Sequence, residues 1–135
     1  MRERWFGATG RRVPEIALVG VQPDSPFHGL EGLKHLETAL VPGIWDPRVP
    51  DRMELVSTEE AEMAVRRLAR EAGLFVGWST GAALVAAERA LSVVTRPPRP
   101  PRPPGRPSSA LVVVLAPDSG LRYLSETERL RGVLP

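Results

Sequence analysis

The chain has 135 residues, enough for one domain with a core of its own. Its net charge of +2 and ordinary charged share give no footprint for nucleic acid, although all but one of its 18 basic residues are Arg and the single lysine is Lys34. It has no Cys, which excludes a disulfide framework and thiolate chemistry, and no apolar run approaches the roughly 20 residues needed to span a bilayer.

In chain order, Met1 to Gly10 lacks the apolar centre of a signal peptide, so a soluble cytoplasmic protein is expected. Ile16 to Val21 (IALVGV), bounded by Pro14 and by Pro23-Asp24, reads as a buried strand. Ser25 to Arg52 is rich in Gly and Pro and long for a loop, so a short helix is expected near Leu33 to Leu40. Met53 to Val56 is a second strand candidate.

Thr58 to Ala72 is the clearest helix. Ser57 and Glu60 form an S-x-x-E capping box, and Ala61, Ala64, Val65, Leu68 and Ala72 share one face. Gly73 suits the position after the helix, where a positive φ is needed. Leu74 to Trp78 reads as a third strand and Ser79 to Val93 as a second, Ala-rich, buried helix. Thr95 to Ser109 (TRPPRPPRPPGRPSS) is too rich in Pro for a helix or central strand and is expected to be an extended spacer. Leu111 to Leu115 (LVVVL) is the strongest strand signal, followed by a Pro117-Asp118-Ser119-Gly120 turn and a second S-x-x-E box at Ser125 and Glu128. Strands alternating with helices imply an α/β domain with a parallel sheet.

In such a sheet, ligands bind beyond the carboxyl ends of the strands. Two loops qualify: Gly77-Trp78-Ser79-Thr80-Gly81 and Pro117-Asp118-Ser119-Gly120. The first matches G-x-S-x-G, the hydrolase nucleophile elbow. A hydrolase of that type needs Ser, then an acid, then His, yet His28 and His35 both precede Ser79. Two readings of this loop stay open. Ser79 or Thr80 caps the following helix, or the loop faces a flat cofactor, with Ser79 offering a hydroxyl to a ring nitrogen. His28 and His35 lack Cys or acidic partners in sequence and read as loop residues, so no metal is expected. The Arg/Pro stretch could meet an SH3-like groove, though a solvated spacer suits its composition better.

Three runs, VGVQPDSPFHGLEGLKHLETALVPGIWDP, STEEAEMAVRRLAREAGLFVGWSTGAAL and LVVVLAPDSGLRYLSE, resemble segments of the cysteine synthases (O-acetylserine sulfhydrylases and close relatives), in the family's order. They cover nearly all of Ile16 to Ser125, the Arg/Pro stretch excepted. The resemblance implies part of a three-layer αβα domain of the tryptophan synthase beta-like fold. Residues 1–94 would form a partial cofactor-binding unit, 95–109 a linker or insert, and 110–135 the last strand and C-terminal segment of the same domain. It implies pyridoxal 5'-phosphate as the intact enzyme's cofactor and small-molecule substrates, an activated serine (O-acetylserine or O-phosphoserine) and a sulfur donor, with no nucleic-acid or membrane partner.

By the same resemblance Ser79 matches the serine that meets the pyridine nitrogen, a neutral partner that favours β-replacement over transamination. Gly77, Thr80 and Gly81 would shape the same wall, Pro117 and Asp118 the ring edge, and Gly32 a position near the substrate. Lys34 sits where some phosphoserine-using relatives place a cation that could select an anionic leaving group; a solvated surface lysine is the other reading. The family's covalent-anchor lysine and its Gly/Thr-rich phosphate loop match nothing in this sequence. Met1 to Arg12 resembles at most the helix after that loop, and Gly7-Ala8-Thr9-Gly10 is expected to belong to it. The chain is therefore expected to be inactive alone, and to pair with an N-terminal half or form a homodimer.

Overall fold

A computed structural model describes residues 3–5, 12–14, 17–95 and 111–124. Among these residues, four short strands and two helices run in the order β1 (Glu3–Trp5), β2 (Arg12–Pro14), β3 (Val19–Pro23), β4 (Arg52–Val56), α1 (Thr58–Ala72) and α2 (Trp78–Thr95), followed by a 3-10 turn at Gly120–Tyr123. β3 and β4 pair in parallel, with Val19 opposite Arg52 and Pro23 opposite Val56. The Asp24 N–H donates to the Val56 carbonyl at 3.1 Å, which extends the ladder by one step beyond Pro23, a residue with no N–H to give.

Parallel strands need a long crossover, which is usually helical. Here it is irregular. The helix expected near Leu33 to Leu40 is replaced by turns, with the Leu33 N–H bonded to the Leu30 carbonyl at 3.2 Å and the Ala39 N–H to the His35 carbonyl at 2.9 Å. Side chains hold this loop in place where a helix would use its own backbone. Gln22 Oε1 accepts from the Leu36 N–H at 3.0 Å, Thr58 Oγ1 accepts from the Gly29 N–H at 2.9 Å, and Leu30 is fully buried in the core.

α1 has the bounds its sequence signals imply. Ser57 Oγ accepts from the Glu60 N–H at 3.2 Å, and Glu60 Oε2 accepts from the Ser57 N–H at 3.1 Å. Gly73 ends the helix at φ 67°, a left-handed conformation that costs glycine little. The Glu60 carboxyl lies below its ordinary range, chiefly because the Ser57 N–H donates to it, with Arg89 adding a side-chain bond and its charge against opposing desolvation. A carboxylate favoured in the fold contributes stability above the unfolded carboxyl range and loses it as the pH falls through the lower folded value. Ser57→Ala is expected to cost about 1 kcal/mol at neutral pH and to leave most of the acid limb in place, because the backbone N–H that chiefly holds the Glu60 carboxylate remains; both are measurable from urea midpoints between neutral and acidic pH.

α2 packs on α1 and also reaches β3 and β4. The core gathers Leu30, Val56, Ala61, Val65, Trp78, Ala82 and Tyr123. At the helix crossing, a Cβ on Gly81 would meet the Ala61 backbone carbonyl and Val65 Cγ2 well inside 3.0 Å. Only a residue without a side chain allows this approach.

Three more expected elements differ. Leu111 to Leu115 pairs with no strand among the described residues, and Leu111 and Leu115 are 90% and 81% exposed. A run this apolar becomes a central strand only when neighbours supply hydrogen bonds and cover both faces, and the described residues supply neither. Leu74 to Trp78 is likewise no strand: it makes one antiparallel bridge, Val76 to Ser119, before the chain turns into α2. At the N-terminus, Glu3–Trp5 pairs antiparallel with Arg12–Pro14 where a helix was expected. Gly7-Ala8-Thr9-Gly10, the Arg/Pro stretch from Arg96 and the Ser125–Glu128 capping box lie outside the described residues.

Candidate functional site

The two loops singled out by sequence meet. The Gly77 N–H donates to the Asp118 carbonyl at 3.2 Å, the Gly120 N–H donates to the Phe75 carbonyl at 3.2 Å, and the Val76–Ser119 bridge lies between them. The 117–120 turn is thereby fastened to the segment that leads into α2.

The Gly77 carbonyl accepts from the N–H groups of Thr80 and Gly81, at 3.1 and 3.3 Å. With α2 starting at Trp78, Ser79 and Thr80 lie inside the first turn, so neither is the N-cap residue. Both are buried: Ser79 is 8% exposed and Thr80 4%. Thr80 Oγ1 has no hydrogen-bond partner among the described residues. A buried hydroxyl without a partner is costly, which marks this helix end as incomplete by itself.

The Asp118 side chain also packs against Gly77. A Cβ on Gly77 would collide with Asp118 Oδ1 and Cγ, well inside 3.0 Å. The other carboxylate oxygen, Oδ2, accepts from the Tyr123 hydroxyl, while Oδ1 is buried without a hydrogen-bond partner among the described residues. The Tyr123 ring packs on Trp78 with centroids 5.9 Å apart and planes tilted by 50°. Burial, then the bond to Asp118 and its charge, pushes the Tyr123 phenol up to about 12. Sequence reasoning assigned Tyr123 no role. The available signal was an aromatic one short turn after Asp118, inside the P-D-S-G-x-R-Y run.

The remaining candidates have other surroundings. Gly81 faces α1, so its missing side chain is explained by the helix crossing. Pro117 is exposed. Gly32 and Lys34 line a cleft of about 320 Å³ with Gln22, Leu36, Trp45 and Met53, and neither Ser79 nor Asp118 lines it. Lys34 is exposed at its rim.

The histidines are satisfied locally. His28 Nδ1 accepts from the Leu30 N–H at 3.2 Å, and buried His35 pairs through Nδ1 with Thr38 Oγ1 at 2.9 Å and through Nε2 with Glu37 at 2.8 Å. Among the described residues no cluster of His, Asp and Glu could hold a metal ion, and no helix is long and apolar enough to cross a membrane.

Comparison with known proteins places this arrangement. A cysteine synthase of Aquifex aeolicus is 40% identical over 121 residues, covering 87% of this chain and 34% of the relative. A solved O-ureido-L-serine synthase superposes with a TM-score of 0.64 at 32% identity, over 89% of this chain and 36% of its own. An O-acetylserine dependent cystathionine beta-synthase from Helicobacter pylori gives a TM-score of 0.62 at 31% identity, over 82% of this chain and 34% of its own. No family model matches.

The fold is thus a partial α/β domain of the kind found in the cysteine synthase family. Within that class the chain corresponds to the C-terminal part of a cysteine synthase, and it spans about a third of the length of the curated relatives it matches.

Proposed function

We propose that this chain supplies one wall of a pyridoxal 5'-phosphate site in a cysteine synthase, and that it has no such activity alone. The observation that carries the reading is the match at 40% identity along 87% of the chain against only 34% of the relative. The intact enzyme would make cysteine from an activated serine and a sulfur donor, in the cytoplasm.

The residues present suit one side of the cofactor. Thr80 Oγ1 is buried and partnerless at the first turn of an 18-residue helix, next to the Ser79 hydroxyl. These two side chains would meet the ring nitrogen side, with Gly77 and Asp118 shaping the adjoining loop. When bound, the cofactor supplies an electron sink for replacement at the β-carbon of the amino acid. Ser79 would offer a neutral hydrogen bond, which leaves the nitrogen less cationic than a carboxylate partner would. Gly32 and Lys34 would serve the substrate side, Lys34 as a cation toward an anionic leaving group. In this chain they line a different cleft, so a shared site requires the remaining two thirds of the fold.

The covalent anchor is the missing part. Lys34 is the only lysine in the sequence, and it is exposed beside the cleft lined by Gln22, Trp45 and Met53. The expected result of incubating the chain with pyridoxal 5'-phosphate, reducing with borohydride and mapping peptides is no specific attachment at Lys34 and no cysteine formed. Stoichiometric labelling of Lys34 with turnover would overturn the proposal. Adding a lysine-bearing N-terminal part of a cysteine synthase should restore tight cofactor binding that depends on Ser79.

A second reading, a non-catalytic chain that associates with an N-terminal half or a full-length homologue, is favoured by uncovered apolar surface. Phe27, Leu40, Ile44, Leu111 and Leu115 are all largely exposed. A stable, soluble monomer on size-exclusion chromatography would count against it.

A further inference from the structure

We propose that Tyr123 is a positioning residue for this site: its bond to Asp118 holds that carboxylate against Gly77 and thereby sets the first turn of α2, where Ser79 and Thr80 sit. The functional meaning of this brace rests on the reading of Ser79 as ligand-facing.

The chain of contacts is continuous. The Tyr123 hydroxyl donates to Asp118 Oδ2, and the opposite oxygen, Oδ1, abuts Gly77 where a Cβ would otherwise stand. The Asp118 carbonyl accepts from the Gly77 N–H at 3.2 Å. The Gly77 carbonyl in turn accepts from the N–H groups of Thr80 and Gly81. Asp118 therefore holds one glycine through its backbone carbonyl and packs on it with its side chain, and that glycine immediately precedes the helix. Tyr123 is itself held, 6% exposed, with its ring on Trp78, the residue before Ser79. Asp118 then acts on the site through Gly77, and the glycine is needed for this packing independently of any ligand.

The sequence offers two clean probes, since it has one tyrosine and no cysteine. In the full chain carrying Ser79→Cys, the introduced thiol sits in the first turn of a helix, an environment that lowers thiol pKa values below the usual 8.5 or so. The pH dependence of its alkylation by iodoacetamide reports its position. Adding Tyr123→Phe, which keeps the ring and removes only the hydroxyl, should raise the thiol pKa by about one unit or more toward its usual value. An unchanged pH profile, with circular dichroism showing intact helices, would overturn the brace.

A second measurement stands if a double variant fails to fold. Absorbance titration of the single tyrosine should give a midpoint near 12, and Asp118→Asn should lower it while leaving it above the usual value, because burial is the larger cause. A midpoint at the usual value of about 10, insensitive to Asp118→Asn, would also overturn the brace. Neither measurement involves the cofactor. Failure of a reconstituted enzyme to need Ser79 for cofactor binding would sink the site reading and leave the brace standing.

Discussion

Gly81→Ala is expected to destabilise the chain by about 3 kcal/mol, the upper end of the usual cost of overpacking. The added methyl group would have to share space with the Ala61 carbonyl. That obstacle is backbone, so no rotamer change relieves it, and the two helices must separate along their whole contact. Ala61, Val65 and Ala82, all fully buried, would lose packing together. Native domains hold only about 5–15 kcal/mol in total, so a loss of this size is a large share. The effect should appear in urea unfolding without any cofactor, as a lower midpoint at unchanged slope. A midpoint within error of the parent would mean that the helices do not approach as closely as described.

Trp78→Ala is expected to cost about 3–5 kcal/mol, the range for deleting a buried aromatic side chain. Trp78 is 1% exposed, the largest fully buried side chain among the described residues, and it touches both the core and the Tyr123 ring. The cavity would open in the first turn of α2, which also carries Ser79, so helix stability and the site should fail together. Trp78→Phe should cost less, because it keeps a ring against Tyr123. Combining Trp78→Ala with Tyr123→Ala should cost less than the sum of the single changes, since both lose the same contact. Additive losses in that cycle would show that the two rings act independently.

The candidate site was legible in its parts. The two loops were found from motif and position, and the structure brings Gly77, Ser79 and Thr80 together with Asp118. Their grouping with Gly32 and Lys34 rested on resemblance, and in this chain those residues line a separate cleft. Tyr123 escaped notice because its importance comes from a contact with Asp118 and Trp78 that no spacing rule announces.

The helices show what the sequence determined by itself. The bounds of α1 follow from a reciprocal cap, one apolar stripe and a terminal glycine, all within a few residues of one another. Such signals act through local backbone bonds and do not wait for the rest of the molecule. LVVVL and Leu74 to Trp78 carried equally apolar signals, yet a strand exists only where a second segment offers hydrogen bonds. Whether those residues pair, and which side chain braces the start of α2, was decided by tertiary structure, because both depend on partners distant in the chain.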